Sequence, residues 1–322
     1  MQSSSQLFPV GLIRAELYGN LTEDVYLLKP NNSPDPSVEL ALTRLGRLNA
    51  PSSFGQSVVL LHGAFDNRYA WYTPRGEGLA LTLVEAGFDV WIAEMRGHGL
   101  SPRNLDYVHN RLADYARYDL PAIAAFVEEQ TGWPSHWIGQ AMGGLSVLHG
   151  MVDGHLKQHT SVASLVMWGT TLERQWRPLS WIERRRSILS GHRTQRGAED
   201  EPVGLLVDVE RGSRALRLRK ETISIMPGLE RITVPLLSMA AHHDPLVPVE
   251  QCQALFDACG APRKIFQTVD VSSAKLAPTV PLLSQREAHT HLSHLVLDWL
   301  NSFATPVGST SLHSYGALVA SG

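Results

Sequence analysis

A chain of 322 residues, 43% hydrophobic and 18% charged, has the composition of an ordinary globular protein and enough length for a sizeable core in one large domain or two. Its 28 basic and 31 acidic side chains nearly cancel to a formal charge of -3, which removes any general electrostatic pull toward nucleic acid or an anionic membrane. The two cysteines, Cys252 and Cys259, fall on one predicted helix about 10 Å apart along its axis, too far for a disulfide. The opening "MQSSSQLFPVGLIRAEL" reads as neither a secretory leader nor a membrane span, so a cytoplasmic location is expected.

Residues 1–56 alternate Pro- and Asn-rich loops with two segments, "DVYLLKP" and "VELALTRL", that fit an antiparallel hairpin at the margin of a sheet. From Ser57 the pattern becomes short apolar runs separated by helical ones: "SVVLLHG", "GLALTLVEAG", "FDVWIAEMRG", "YDLPAIAAFVEEQTG" and "SHWIGQA". Strands alternating with helices require right-handed crossovers and predict a mostly parallel sheet covered on both faces. Two further strands are read in "SVASLVMWGT" and "ITVPLLSMAAHHD". The segment between them, with "WRPLSWIERRRSILSGHR", an acidic patch "GAEDEP" and "RALRLRKETISIMPG", reads as inserted helices. The expected division is a core of residues 1–170 and 232–305, including a β apron at 1–56, a helical cap insert at 171–231, and a C-terminal arm at 306–322.

The chemistry centres on "SHWIGQAMGGLSVLHG", where a strand runs through Gly139-Gln140-Ala141-Met142-Gly143 straight into an apolar helix. This is the outline of a nucleophile elbow, G-x-S-x-G, with alanine at its centre. In such a site two main-chain N–H groups stabilise the oxyanion, here those of Ala64, in "LLHGAFDN", and of Met142. Phe65 and Gln140 are expected to border the substrate. The loop "MRGHGLSPRN" is read as a structural turn walling the site. Asp244 stands at the tip of a strand, where an acid can orient a histidine, and His289, His291 and His294 lie at or within the last amphipathic helix. His291 is preferred as the base, with the other two as alternatives. His242, His243 and Asp244 are not expected to share a metal, because adjacent residues of an extended strand face opposite ways.

Taken together, "GLALTLVEAGFDVWIAEMRGHGLSPRN", "YARYDLPAIAAFVEEQTG" and the elbow resemble the α/β-hydrolases, and within them the acid (gastric and lysosomal) lipase group and its bacterial relatives. The chain order of nucleophile position, acid and histidine is also that of the superfamily. The resemblance implies an α/β-hydrolase fold with a helical cap, a serine-type carboxylic ester hydrolase working through an acyl-enzyme, and no cofactor or metal. By position, Ala141 stands for the nucleophile, Asp244 for the acid and His291 for the histidine, with Thr290 replacing the glycine before it and Gln140 replacing a histidine often found before the nucleophile.

A methyl group at position 141 cannot form an acyl-enzyme, so turnover is expected to be marginal. Three readings follow: a serine hydrolase whose nucleophile has been replaced, a native pseudoenzyme serving as a small-molecule binding or regulatory protein, or catalysis through the histidine acting on water. Ser146 lies too far into the helix to substitute. In the insert, Trp176 and Trp181 are expected to bind substrate as part of an apolar tunnel, with Arg184, Arg185 and Arg186 at its mouth. The expected partner is a small apolar ester-type molecule. Neither nucleic acid nor stable membrane anchoring is expected, and the sequence leaves the oligomeric state open.

Overall fold

The computed structural model describes residues 5–48, 56–73, 76–172, 180–182, 185, 197–208, 226–242, 244, 247–269 and 286–303, and of residues 226–227 and 286–291 the main chain alone. Among the described residues nine strands form one sheet: β1 (Val10–Tyr18), β2 (Leu21–Leu28), β3 (Leu40–Arg47), β4 (Ser57–Leu61), β5 (Asp89–Glu94), β6 (Ser135–Gln140), β7 (Val162–Trp168), β8 (Leu236–Ala241) and β9 (Lys264–Val269), in the order β1-β2-β3-β5-β4-β6-β7-β8-β9. The first three strands are antiparallel, β3 runs antiparallel to β5, and the strands from β5 to β9 are mutually parallel.

The parallel strands are short apolar runs because both their faces are covered. Along β4, Val59 and Leu61 join the core on one face while Val58 and Leu60 join the core on the other. Trp137 and Ile138 divide β6 in the same way. Helices α2 (Leu120–Thr131), α3 (Met142–Val152) and α4 (Val249–Ala258) cover the first face through Ile123, Leu145 and Leu255. Helices α1 (Leu79–Glu85) and α5 (Arg286–Asn301) cover the second through Leu79, Leu83, Leu292, Val296 and Trp299. Each fully buried Leu or Val contributes about 1.5–3 kcal/mol relative to exposure, so this two-sided burial is what holds the sheet.

The expected hairpin is β2 paired with β3. Two strands come in addition. β1 extends the sheet beyond that hairpin, with Leu12, Ile13, Leu17 and Tyr18 exposed, and β9 closes the other edge. The long excursion between β7 and β8 leaves and re-enters the sheet at neighbouring parallel strands. Cys252 and Cys259 are buried free thiols, and burial pushes the Cys259 thiol up to about 12. Among the described residues no helix is long and apolar enough to cross a membrane.

From β4 the chain crosses to β5 on one side, and β6 then pairs with β4 on the other. The strand order therefore reverses between β4 and β6. In open α/β sheets, ligands bind in the crevice beyond the carboxyl ends of the strands at such a switch point.

Candidate active site

Two main-chain features meet at that crevice. β6 ends at Gln140, and the chain turns through Ala141 directly into α3. Ala141 adopts φ 48° and ψ −105°, its N–H donates to Trp168 O at 2.7 Å, and its carbonyl accepts from Leu145 N at 3.0 Å. A positive φ is strained for any residue with a Cβ. The turn is this tight because the helix start lies on the strands. A Cβ on Gly139 would stand 2.3 Å from Gly144 N, and one on Gly143 would stand 2.6 Å from Leu61 O. Only glycine fits at either position. Met142 is the first residue of α3, so its N–H has no intrahelical acceptor and lies at the positive end of the helix dipole.

The second feature is the loop after β4. Ala64 and Phe65 are buried, and Phe65 has φ 64°, a left-handed conformation that costs a non-glycine residue roughly 1–2 kcal/mol. His62, at the end of β4, anchors the loop start: its Nδ1 donates to Gly63 O at 2.7 Å and its Nε2 accepts from Met95 N at 3.2 Å. Burial, with the neighbouring His98 charge, pushes His62 down to about 3, so it is neutral and held in one tautomer. The Gln140 side chain lies against this loop, since a Cβ on Gly63 would approach Gln140 Cδ to 3.3 Å. The Ser146 hydroxyl donates back to Met142 O at 2.9 Å within α3 and is wholly buried, as its place in the helix foretold.

Asp244 follows β8, and its Oδ1 accepts from Val247 N at 3.2 Å, shortly before α4. The main chain of His289 and His291 lies in the first part of α5, while their side chains fall outside the described residues. His294 is exposed. Of the two expected substrate-binding tryptophans, Trp176 lies outside the described residues. Trp181 is 68% exposed, with the Arg185 guanidinium 4.9 Å from its ring centre. Among the described residues there is no cluster of three or more His, Cys, Asp or Glu side chains arranged to hold a metal ion.

Around these features lies a buried polar network that sequence reasoning did not anticipate. The loop after β5, read as a plain turn, is built on charge. Arg96 bonds Asp119 through Nε at 2.9 Å and Nη2 at 2.5 Å, with both residues buried. Glu94 accepts from the N–H groups of Arg68 and Leu100, each at 3.0 Å, tying the loops after β4 and β5 to one carboxylate. The acidic patch, residues 197–201, lies on both loops. Asp200 pairs with Arg103 at 2.7 Å, Glu199 Oε1 accepts from Asn67 Nδ2 at 2.7 Å, and Glu201 Oε1 stands 3.1 Å from His98 Nε2. Burial opposes charge on His98, yet the Glu201 carboxylate outweighs it and lifts the imidazole to about 9. The sequence signal was present but ambiguous, in charged residues placed at the ends of apolar strands.

Comparison with known proteins agrees with this architecture. A family profile described as "alpha/beta hydrolase fold" matches residues 56–181. The chain is 32% identical over 144 residues to a tear acid lipase-like protein of Mesocricetus auratus, a match covering 42% of this chain and 34% of that protein. It is 31% identical over 138 residues to gastric triacylglycerol lipase of Homo sapiens, covering 40% and 32% respectively. The matched stretch thus spans about a third of the length of these relatives. Among solved structures, a soluble variant of monoglyceride lipase from Saccharomyces cerevisiae in complex with a substrate analog superposes with a TM-score of 0.60 at 12% identity, covering 95% of this chain and 98% of that one. A cold-adapted esterase from an Arctic intertidal metagenomic library gives 0.57 at 14% identity, covering 91% and 98%. The chain therefore has the α/β-hydrolase fold and, over about two fifths of its length, resembles the acid lipases.

Proposed function

We propose that this site is built for acyl transfer from carboxylic esters, with the nucleophile position held by Ala141, so that the chain as it stands binds ester-type ligands and turns them over at most marginally. The observation that carries this reading is the backbone of Ala141. An alanine gains nothing from φ 48° and ψ −105°, whereas that strained apex is what lifts a nucleophile into a crevice. In this reading the N–H groups of Ala64 and Met142 receive the oxyanion, Asp244 orients His291, and His291 is the base. Phe65 and Gln140 border the acyl group, and Trp176 and Trp181 belong to a cap over it. The acid lipase resemblance supports an ester as the substrate class.

The test is to compare the parent chain with its Ala141→Ser variant on p-nitrophenyl esters from short to long acyl chain. The serine variant is expected to hydrolyse part of the panel at least about 10³-fold faster and to be labelled at Ser by a fluorophosphonate. Silence of both forms, with no labelling, overturns the reading. One specific observation favours a second role, namely Ala141 itself. A ligand-binding or regulatory protein of this fold needs the crevice but no nucleophile, and it is distinguished by tight ligand binding in the parent alongside an unreactive serine variant.

A further inference from the structure

The acidic segment 197–201 does more than cover the loops beneath it. Phe65 holds a left-handed conformation next to Ala64, and both of its main-chain polar groups are engaged by this one segment. Phe65 N–H donates to Glu201 Oε1 at 2.6 Å, and Phe65 O accepts from Glu199 N at 2.9 Å. The approach is so close that a Cβ on Gly197 would stand 2.5 Å from Phe65 O. Glu201 is itself buried, 3% exposed, and the oxygen that accepts from Phe65 N–H, Oε1, also stands 3.1 Å from His98 Nε2 of the loop after β5, so the carboxylate is held from a second loop. A strained residue persists only when its surroundings over-determine it. Here the surroundings come from a remote segment inserted between β7 and β8.

We propose that Glu201 is a positioning residue for the oxyanion loop: its carboxylate, together with the Glu199 N–H, holds Phe65 in its left-handed conformation and thereby sets the direction of the neighbouring Ala64 N–H. The proposal rests on the acyl-transfer reading for its consequence, since Ala64 matters only if an oxyanion forms. Its structural half stands without that reading. It also makes the competent shape of the crevice depend on how the inserted segment sits.

Two readouts keep the two halves apart. In the chain as it stands, residue-resolved amide hydrogen exchange by NMR is compared with Glu201→Ala, which removes the acceptor. Exchange at Phe65 is expected to rise at least about tenfold while Leu145, in α3, is unchanged. Asp200→Asn, which loosens the same segment through its pairing with Arg103, is expected to leave Phe65 within about twofold of the parent. If Glu201→Ala does not fold, Glu201→Asp takes its place. It keeps a charge beside His98 but draws the carboxylate back by one methylene, and Phe65 is expected to exchange at least about threefold faster. In the Ala141→Ser background, loss of the Glu201 acceptor is expected to lower kcat about tenfold or more with KM within about threefold, because a misplaced oxyanion donor is felt in the transition state. Glu201→Gln, which retains an acceptor oxygen, is expected to recover most of that loss. Unchanged exchange at Phe65 overturns the proposal, as does equal acceleration by Asp200→Asn. Faster exchange with undiminished kcat in an active serine variant overturns its catalytic half. An unreactive serine variant with faster exchange counts against the ester reading and leaves the positioning of the loop supported.

Discussion

The elbow and the acidic clasp sit on the same crevice and are held by opposite means. Ala141 is fixed chiefly by close packing around its own turn: strand before, helix after, Gly139 that lets the two lie in contact, and Gly143 that lets the helix start rest on β4, with a single hydrogen bond to Trp168 O of β7. Phe65 is fixed by a carboxylate 136 residues away in sequence, itself held by a histidine from a third loop. The first arrangement rests on steric necessity and is intolerant of added atoms. The second rests on charge and hydrogen bonding in a dry interior, and is intolerant of lost partners and of pH.

The largest effect is expected where a buried charge would be orphaned. Arg96→Met leaves the Asp119 carboxylate without its bidentate partner at 0% exposure, which should cost about 3–5 kcal/mol in urea unfolding. Replacing both residues by apolar ones should cost markedly less, and an equal cost would show that the packing of the Arg96 stem matters more than charge. At the elbow, Gly143→Ala drives a Cβ to 2.6 Å from Leu61 O, an overpacking against main chain expected to cost about 3 kcal/mol. A loss below about 1 kcal/mol would mean that the helix start can slide off the strand.

The clasp should also announce itself in pH. A histidine lifted by its partner contributes stability that is fully present below its unfolded value of 6.5 and is lost as pH rises through about 9. Unfolding free energy should therefore fall across that window in the parent and stay flat in His98→Gln. His62 works in the opposite sense: depressed to about 3, it contributes stability present above 6.5 that is lost as pH falls toward 3. Persistence of the alkaline loss in His98→Gln would remove His98 as its cause.

The smallest effect is the most diagnostic of the elbow. Gly in place of Ala within a protein is ordinarily destabilising, yet at φ 48° and ψ −105° glycine relieves strain that alanine bears. Ala141→Gly is expected to be neutral or to stabilise by up to about 1 kcal/mol. Ala141→Ser, which keeps a Cβ, should remain within about 0.5 kcal/mol of the parent. A clear destabilisation by glycine would mean that residue 141 is not strained.

Much of this was legible in the sequence because it is local. Apolar runs bounded by glycine gave β4 to β7, a run between Pro235 and His242 gave β8, the change of period at Gly139-Gln140-Ala141 gave the elbow, and the end of the β8 run put Asp244 at its tip. β1 and β9 were not legible. At the margins of the sheet "GLIRAELY" and "KIFQTV" keep partly exposed faces, so their patterns blur into those of loops. The patch "GAEDEP" resembles a solvated surface, and no periodicity marks Asp200 and Glu201 as buried.

The sequence by itself determined the mostly parallel sheet and the turn on which position 141 sits, since backbone sterics and hydrophobic period act over a few residues. Tertiary structure alone decided which charges went inside. A carboxylate is stable at 3% exposure only where folding brings donors to meet it. Phe65 N–H and His98 reach Glu201 from two loops far from it in sequence, and no local pattern encodes that meeting.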